Sequence, residues 1–364
     1  MGNDTKSNKM TKYLSNKLRV LSFISIILVV YIHTYYSEGK SMSSLMTLES
    51  FWGNGICRVA VPLFFVISGY LFFLKCPDGI KSIWPKMKKR VRTLLVPYLL
   101  VNSFAIIFYV LLNVMVNYSP TLNGVVNYHI FDEISQYGIW GSILALYWTD
   151  PVAFQLWFIR DLMVVILFAP IIYILLRVAI KGVSGFLLFL ISEGLLLTVT
   201  ITVCSDCLAA FWFVAGGYMA MNPRICISGT VERGCWATGS TFLFIALACM
   251  NVYHPLSLYQ WLMPIVGIIA LWTGYDLVYG RGIENPTLSP CLTFLCSYSF
   301  FVYLVHEPLL NILKKLPLLI SRSEITLIVA YIIIPPIFYY LTSLIGSWIK
   351  HVMPRCYDVF TGGR

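Results

Sequence analysis

The sequence predicts an all-α, polytopic membrane protein with about ten transmembrane helices and both termini in the cytoplasm. Of the 364 residues, 59% are hydrophobic and only 12% are charged, whereas a soluble chain carries about 25% charged residues. Long apolar runs recur along the whole chain, and each is near the ~20 residues that a helix needs to cross a bilayer. Lys and Arg are concentrated in alternate loops, as expected for the cytoplasmic loops of a membrane protein.

Ten apolar segments are the predicted spans, and the sixth and seventh of them are short. Their approximate limits are 18–36, 57–74, 91–117, 155–177, 184–202, 206–222, 236–252, 258–280, 291–315 and 324–348. The chain, 1–364, is interpreted as one membrane domain with a basic cytoplasmic N-terminus at 1–17 and a short cytoplasmic tail at 349–364. A further helix at about 137–149 is expected to lie on or dip into the outer surface, because it carries Trp140 and Trp148 amid apolar residues.

The basic residues set the predicted orientation. Basic residues precede the first span and follow the second, fourth, sixth, eighth and tenth, while segment 118–154 and the loops at 203–205 and 253–257 contain neither Lys nor Arg. This alternation follows the positive-inside rule for an even number of spans with both termini cytoplasmic. Lys314, Lys315 and Arg322 are exceptions, because they would lie outside. They are expected to snorkel at a helix end or to bind an anionic acceptor.

The net charge of +10 does not indicate a nucleic-acid-binding protein. Its cations lie in membrane loops, and no soluble domain is long enough to present them on one face. The ten cysteines show no disulfide framework, and the Cys204–Cys207 pair lacks a thioredoxin-like context. His129, His254 and His351 do not have metal-ligand spacing, so no metal site is predicted.

Four predicted spans place ionisable residues at a similar depth in the outer half of the membrane. Such residues are energetically expensive in a bilayer, so they indicate a functional site. The alternative is that each is an independent interfacial residue whose side chain reaches water. The members are His33 in span 1, Arg58 in span 2, Arg160 and Asp161 in span 4, and His306 and Glu307 in span 9.

Arg19 and His33 are fourteen residues apart on span 1. At about 100° per residue they fall within about 40° of one helix face, separated by about 21 Å along the axis. Coenzyme A (CoA) has an anionic nucleotide and a pantetheine arm of comparable reach, so a basic cytoplasmic mouth and a distant imidazole suit a thioester donor. The alternatives are that Arg19 only anchors the topology and that His33 is a core histidine bonded to a neighbouring helix.

Two further groups have both a functional and a structural interpretation. The basic run Lys86–Arg92, which contains Arg90, either binds the phosphates of CoA or serves only as the positive flank of span 3. Trp157, Arg160 and Asp161 share one helix face. A buried Arg–Asp pair is as readily a structural clamp as part of a site.

Six stretches, taken in order, carry a resemblance to a known family. They are Leu18–Val20 with His33, Val61–Leu71, Lys89–Arg90 with Pro97–Tyr98, Leu156–Leu162, Phe211–Phe213 with Gly216–Gly217, and Ser299–Pro308. Over essentially its whole length, the chain resembles the integral-membrane acyltransferase family 3, the bacterial O-acyltransferases of surface sugars. That family commonly has ten residues between the arginine and the histidine of its first span. This chain has thirteen, and Ser22 occupies the usual arginine position.

The resemblance implies transfer of an acyl group, usually acetyl from acetyl-CoA, to a hydroxyl of a sugar or lipid-linked glycan at the bacterial cytoplasmic (inner) membrane. His33 would be the general base and His306 a second acid or base, and Arg160 or Arg58 would stabilise the oxyanion. The predicted catalytic residues are His33, His306, Arg160 and Asp161. The predicted substrate-binding residues are Arg19, Arg58, Arg90, Trp157 and Glu307.

The expected partners are an acyl-CoA co-substrate, a carbohydrate acceptor and membrane lipid, with no bound cofactor, metal or nucleic acid.

Two other classes of protein fit part of the pattern. A secondary transporter would also place ionisable residues in the membrane, and a glycan-export protein would need no catalytic pair. No inverted repeat is visible in the sequence, and the ionisable groups cluster toward one face, which favours an enzyme.

Overall fold

In the structure, a computed structural model, helices are the regular secondary structure of the described residues, and no β-strand occurs among them. The first helix begins where Thr11 caps it, because the Thr11 Oγ1 accepts a hydrogen bond from the Leu14 N–H at 3.2 Å. The described residues are 11–37, 42–74, 79–118, 138, 140–180, 187, 194, 208–222, 230–280 and 287–363.

The main α-helices described in the first half of the chain are α1 (Lys12–Ile32), α2 (Ser43–Trp52), α3 (Ala60–Phe73), α4 (Ile83–Tyr118), α5 (Trp157–Leu167) and α6 (Ala169–Ala179). Short 3-10 helices at Ile56–Val59 and Phe154–Leu156 precede α3 and α5. The helix predicted at about 137–149 is present as helical residues 140–144 followed by a π-helix at Ala145–Thr149. Helix α2 was not anticipated, because its ten residues are too few for a span.

The second half contains eight described α-helices: α7 (Leu208–Met221), α8 (Thr230–Tyr253), α9 (Ser257–Tyr279), α10 (Pro290–Ser297), α11 (Ser299–Leu313), α12 (Leu316–Ile320), α13 (Glu324–Val352) and α14 (Pro354–Thr361). The predicted span 291–315 is therefore divided between α10 and α11. Helix α14 forms within the segment that was expected to be a short tail.

Six helical segments of the described chain are long and apolar enough to cross a membrane, and the pair α5–α6, bent by 66°, makes a seventh if it is one span. This is the pattern of a multi-pass membrane protein. The count of about ten stays a prediction, as does the cytoplasmic location of both termini. Span 184–202 lies outside the described residues except for positions 187 and 194, and α7 has only 14 residues.

Helix α1 packs against α3, α9, α11 and α13, so its side chains are positioned from several sides. At its N-terminal end, the Lys17 Nζ lies 2.7 Å from Asp276 Oδ2 of α9 and 4.3 Å from the ring centroid of Trp272. This partly buried ion pair and the cation–π contact hold the start of α1 against α9.

Helices α3 and α7 approach each other closely at two glycines. A Cβ atom at Gly69 would collide with the carbonyl oxygen of Phe213, and one at Gly216 would collide with that of Val66. Any larger residue at these positions would push the helices apart, because backbone atoms have no rotamer through which to yield. The α3 backbone is therefore held firmly beside the site described next.

Candidate active site

One face of α1 lines two cavities in succession. Arg19, Ser22 and Ile26 line the first cavity, toward the N-terminal end of the helix. Val29 and His33 line the second cavity, at its C-terminal end. These five positions are spaced three or four residues apart, which places them on one side of the helix. Both Arg19 and Ser22, the residue at the family's usual arginine position, face the first cavity.

The first cavity has a volume of about 540 Å³ and a basic lining. Arg19, Arg90 and Lys350 contribute cations from α1, α4 and α13, and no Asp or Glu occurs among its described lining residues. The Arg19 Nη2 donates a hydrogen bond to the Ser297 Oγ at 2.8 Å, which holds the guanidinium at the wall. Such a cavity favours an anionic ligand, because three cations have no carboxylate among them to neutralise their charge.

Helix α14 covers part of the first cavity, and the sequence analysis missed this role. Tyr357 and Thr361, one turn apart, line the cavity, and burial raises the pKa of Tyr357 so that its hydroxyl stays protonated. Gly362 ends α14 with φ +66°, and a Cβ atom there would collide with the carbonyl oxygen of Thr93 in α4. Pro354 at the helix start and the Gly–Gly pair after it are the sequence signals that could have identified this helix.

The second cavity, of about 330 Å³, contains His33 together with aromatic and amide side chains. Arg58 and Trp157, both predicted to bind substrate, line it as well. Arg58 is exposed, and its Nη2 donates to Asn54 Oδ1 at 3.2 Å. Three tryptophans and two glutamines are among its walls: Trp157, Trp212, Trp261, Gln155 and Gln260. Apolar rings beside amide groups are suited to a ligand with both apolar faces and hydroxyl groups.

His33 and His306 lie side by side, as the sequence predicted from their depth. Their ring centroids are 5.3 Å apart, and the His33 ring also contacts the Phe154 ring at 5.0 Å. His306 is fully buried, with its Nδ1 2.7 Å from the carbonyl oxygen of Tyr303. Because a carbonyl oxygen only accepts, Nδ1 donates, and the lone pair of the neutral ring is on Nε2. This Nε2 atom is buried and has no partner among the described residues.

A hydrogen-bond network between Gln155 and α11 holds the helix segment that carries His306. The Tyr303 hydroxyl donates to the carbonyl oxygen of Gln155 at 2.6 Å. The Gln155 Nε2 donates to the carbonyl oxygens of Leu304 and Glu307 at 3.1 and 3.2 Å. These carbonyls are accessible because α11 is broken at Glu307 (φ −105°, ψ 136°). Gln155, a single amide at the start of an apolar span, was missed by the sequence analysis.

Three charged residues hold the chain segment that follows His33. The buried carboxylate of Glu49 accepts hydrogen bonds from the Tyr36 N–H at 2.8 Å and from the Ser37 hydroxyl. The Lys314 Nζ donates to the His33 carbonyl oxygen at 3.0 Å. Glu324 accepts from the first N–H groups of α2 at 2.7 and 3.0 Å. Lys314, an exception to the charge pattern, therefore has a structural partner at the histidine.

The side chains of the remaining predicted residues, Arg160, Asp161 and Glu307, do not line the second cavity. Arg160 Nε is 2.9 Å from Asp161 Oδ1, and its Nη1 donates to the carbonyl oxygens of Trp148 and Thr149 at 2.8 and 3.0 Å. This arrangement clamps the π-helix to α5, and neither residue lines the second cavity. Glu307 bonds to Asn311 and lines a separate apolar cavity of about 380 Å³ between α4, α11 and the C-terminal helices.

Comparison with known proteins places these features in a family context. A family model described as "Acyltransferase domain" matches residues 16–352. The chain is also 24% identical, over 393 aligned residues, to a protein named succinoglycan biosynthesis protein ExoH, from Rhizobium meliloti (strain 1021). That alignment covers 98% of this chain and 94% of the relative. No solved structure matches the chain significantly.

Proposed function

Because this chain belongs to the acyltransferase domain family, we propose that it transfers an acyl group from a cytoplasmic acyl-CoA to a hydroxyl of a carbohydrate. The chain is an acyltransferase that transfers groups other than aminoacyl groups. The donor, the acceptor and the residue roles given below are our proposal. The similar protein from Rhizobium is named for the biosynthesis of a polysaccharide. By that likeness, the acceptor is a cell-surface or lipid-linked glycan, and the protein acts in the bacterial inner membrane.

A single observation carries this proposal: one face of α1 joins a basic cavity to a histidine pair. The nucleotide phosphates of CoA suit the first cavity, where Arg19, Arg90 and Lys350 supply positive charge. The pantetheine arm then extends along α1 toward His33. Fourteen residues of helix span about 21 Å, a distance that an extended pantetheine arm is able to cover.

The proposed reaction uses His33 as the general base. Its imidazole removes the proton of the acceptor hydroxyl, and the oxygen attacks the thioester carbonyl carbon to form a C–O bond. The tetrahedral oxyanion then collapses, the C–S bond breaks, and the CoA thiolate leaves and takes up the proton from the imidazolium. Arg58, in the second cavity, is better placed than the clamped Arg160 to stabilise the oxyanion.

His306 has a supporting role in this proposal. Its Nδ1–H bond to Tyr303 fixes the tautomer, so Nε2 is available as an acceptor beside the His33 ring. His306 therefore either orients His33 or accepts the proton after it. No metal takes part in these steps.

The test is acyl transfer in inverted membrane vesicles that contain the full chain and the native glycan. Vesicles are supplied with acetyl-CoA or succinyl-CoA, and free CoA thiol and the mass of the glycan are measured. We expect thiol release and the matching mass increase with at least one donor, and loss of both for His33→Ala. His254→Ala, an exposed histidine outside both cavities, serves as the control. Absence of thiol release from the wild type with every acyl-CoA would contradict the proposed function.

A further inference from the structure

Three aromatic side chains lie between the two cavities. Phe64, Phe158 and Tyr303 line both the first and the second cavity, and we call them the aromatic wall. Their ring centroids are 5.6 Å (Phe64–Phe158), 5.8 Å (Phe158–Tyr303) and 6.5 Å (Phe64–Tyr303) apart. The rings are in mutual contact, so a group that moves from the basic cavity to His33 has to pass them.

Two members of the aromatic wall are fixed in place. The Tyr303 hydroxyl is bonded to the Gln155 carbonyl oxygen, and its own carbonyl oxygen is bonded to His306. Phe158 is buried and lies between the rings of Phe65, at 4.5 Å, and Tyr303. Displacing either ring would break a hydrogen bond or open a void in the core.

Phe64 is the least constrained member of the aromatic wall. It is only partly buried, and the ring contacts found for it in the described structure are those to the other two members of the wall. Its backbone belongs to α3, which is held against α7 at the Gly69 and Gly216 contacts. Movement of Phe64 is therefore confined to rotation of its side chain, and such rotation is fast for partly exposed residues.

We propose that Phe64 is the movable part of the aromatic wall and that it sets the size of the acyl group that reaches His33. This inference rests on the acyl-CoA donor proposed above. When the Phe64 ring turns aside, a narrow passage opens for the extended pantetheine arm and the acyl group at its tip. A longer acyl chain meets the Phe64 ring in the passage and takes up space in the second cavity that the acceptor needs.

The experiment compares donors of different chain length in the same vesicles. Acetyl-, butyryl- and hexanoyl-CoA are supplied separately at equal concentration, and thiol release is measured for the wild type, Phe64→Ala and Phe64→Leu. Discrimination by a few methylenes in an apolar pocket amounts to roughly tenfold or more. We expect Phe64→Ala to raise the rate ratio of hexanoyl to acetyl transfer by about that factor, with a smaller rise for Phe64→Leu.

Leu71→Ala is the matched control. Leu71 lies two turns after Phe64 on α3 and lines the first cavity without reaching the second, so its truncation enlarges the donor cavity and leaves the three rings of the aromatic wall in place. The hexanoyl-to-acetyl ratio should then match that of the wild type. If acetyl-CoA is consumed and the ratio stays at the wild-type value in both Phe64 variants, the inference is wrong while the proposed function stands. If the wild type releases no thiol from any donor, the proposed function fails and this inference fails with it.

Discussion

At the scale of the residue, the most informative atom is the Nε2 of His306, which has no hydrogen-bond partner in the described part of the chain. A buried polar atom without a hydrogen bond destabilises a fold by about 1–3 kcal/mol. Here the atom lies beside the ring of His33, and the opposite nitrogen is fixed by the carbonyl oxygen of Tyr303. An added donor group, such as the hydroxyl of an acceptor or a protonated His33, would satisfy it. In the proposed reaction, the acceptor hydroxyl would complete the hydrogen bonding of the pair.

We predict that His33 and His306 act as a unit. Single His33→Ala and His306→Ala variants should each lose most of the transfer rate, and the double variant should be little slower than the slower single variant. Rates are measured at saturating acyl-CoA and at matched amounts of membrane protein. Two independent histidines would instead give losses that multiply.

Glu307→Gln is the internal comparison for the histidine pair. Its carboxylate bonds to Asn311 and lines a different cavity, so we expect a milder loss of rate than for His306→Ala. Equal losses from the two variants would point to a general disturbance of α11.

At the scale of the element, two departures from the sequence analysis have identifiable physical causes. The break in α11 follows from Pro308, because the residue before a proline is driven out of the helical region. Glu307 accordingly has an extended backbone. The tail helix α14 was missed because its apolar residues, such as Tyr357, are separated by polar ones and form no long run. Its position over the first cavity depends on packing against α4, which no local pattern reveals.

Helix α14 supplies a prediction about donor binding. Gly362→Ala should raise the KM for acyl-CoA by roughly tenfold, because its Cβ would collide with the carbonyl oxygen of Thr93 in α4 and overpacking of this kind costs about 1–3 kcal/mol. The matched control is Gly363→Ala, which has φ +74° but no atom within 4 Å of an added Cβ. The KM is measured from thiol release at saturating acceptor. KM values equal to that of the wild type in both variants would show that α14 does not shape the donor cavity.

At the scale of the whole molecule, hydrophobic runs predicted the helical class and the order of most elements. They also predicted that His33 and His306 would reach the same depth, because depth in a helix follows from residue number. They did not predict that Arg160 would clamp Trp148 and Thr149, since those contacts depend on how the π-helix folds back on α5. Contacts of this kind depend on tertiary packing and not on local propensity. They explain why Arg160 bonds to the π-helix and not to the histidine pair.

The orientation in the membrane is testable over the whole chain. We predict that both termini are cytoplasmic and that α2 and segment 118–154 are external. In a background without reactive native cysteines, an impermeant thiol reagent should label Thr47→Cys in α2 and Ser119→Cys from outside; Ser119 lies outside the described residues. Val359→Cys in α14 should be labelled only after permeabilisation. The reverse pattern at Thr47 and Val359, both exposed, would overturn the orientation.

The hydrogen bond from Lys314 to the His33 carbonyl has a consequence for how the protein is made. The two residues are 281 positions apart, and ribosomes add about 5–20 residues per second. Roughly 15 to 60 s therefore pass between the synthesis of His33 and that of Lys314. During this interval α1 has entered the bilayer without its partners from α11, so its retention there depends on its own apolar face and basic flank. The histidine pair is therefore assembled late, when the later spans join those already inserted, and a chain that stops early contains His33 without His306.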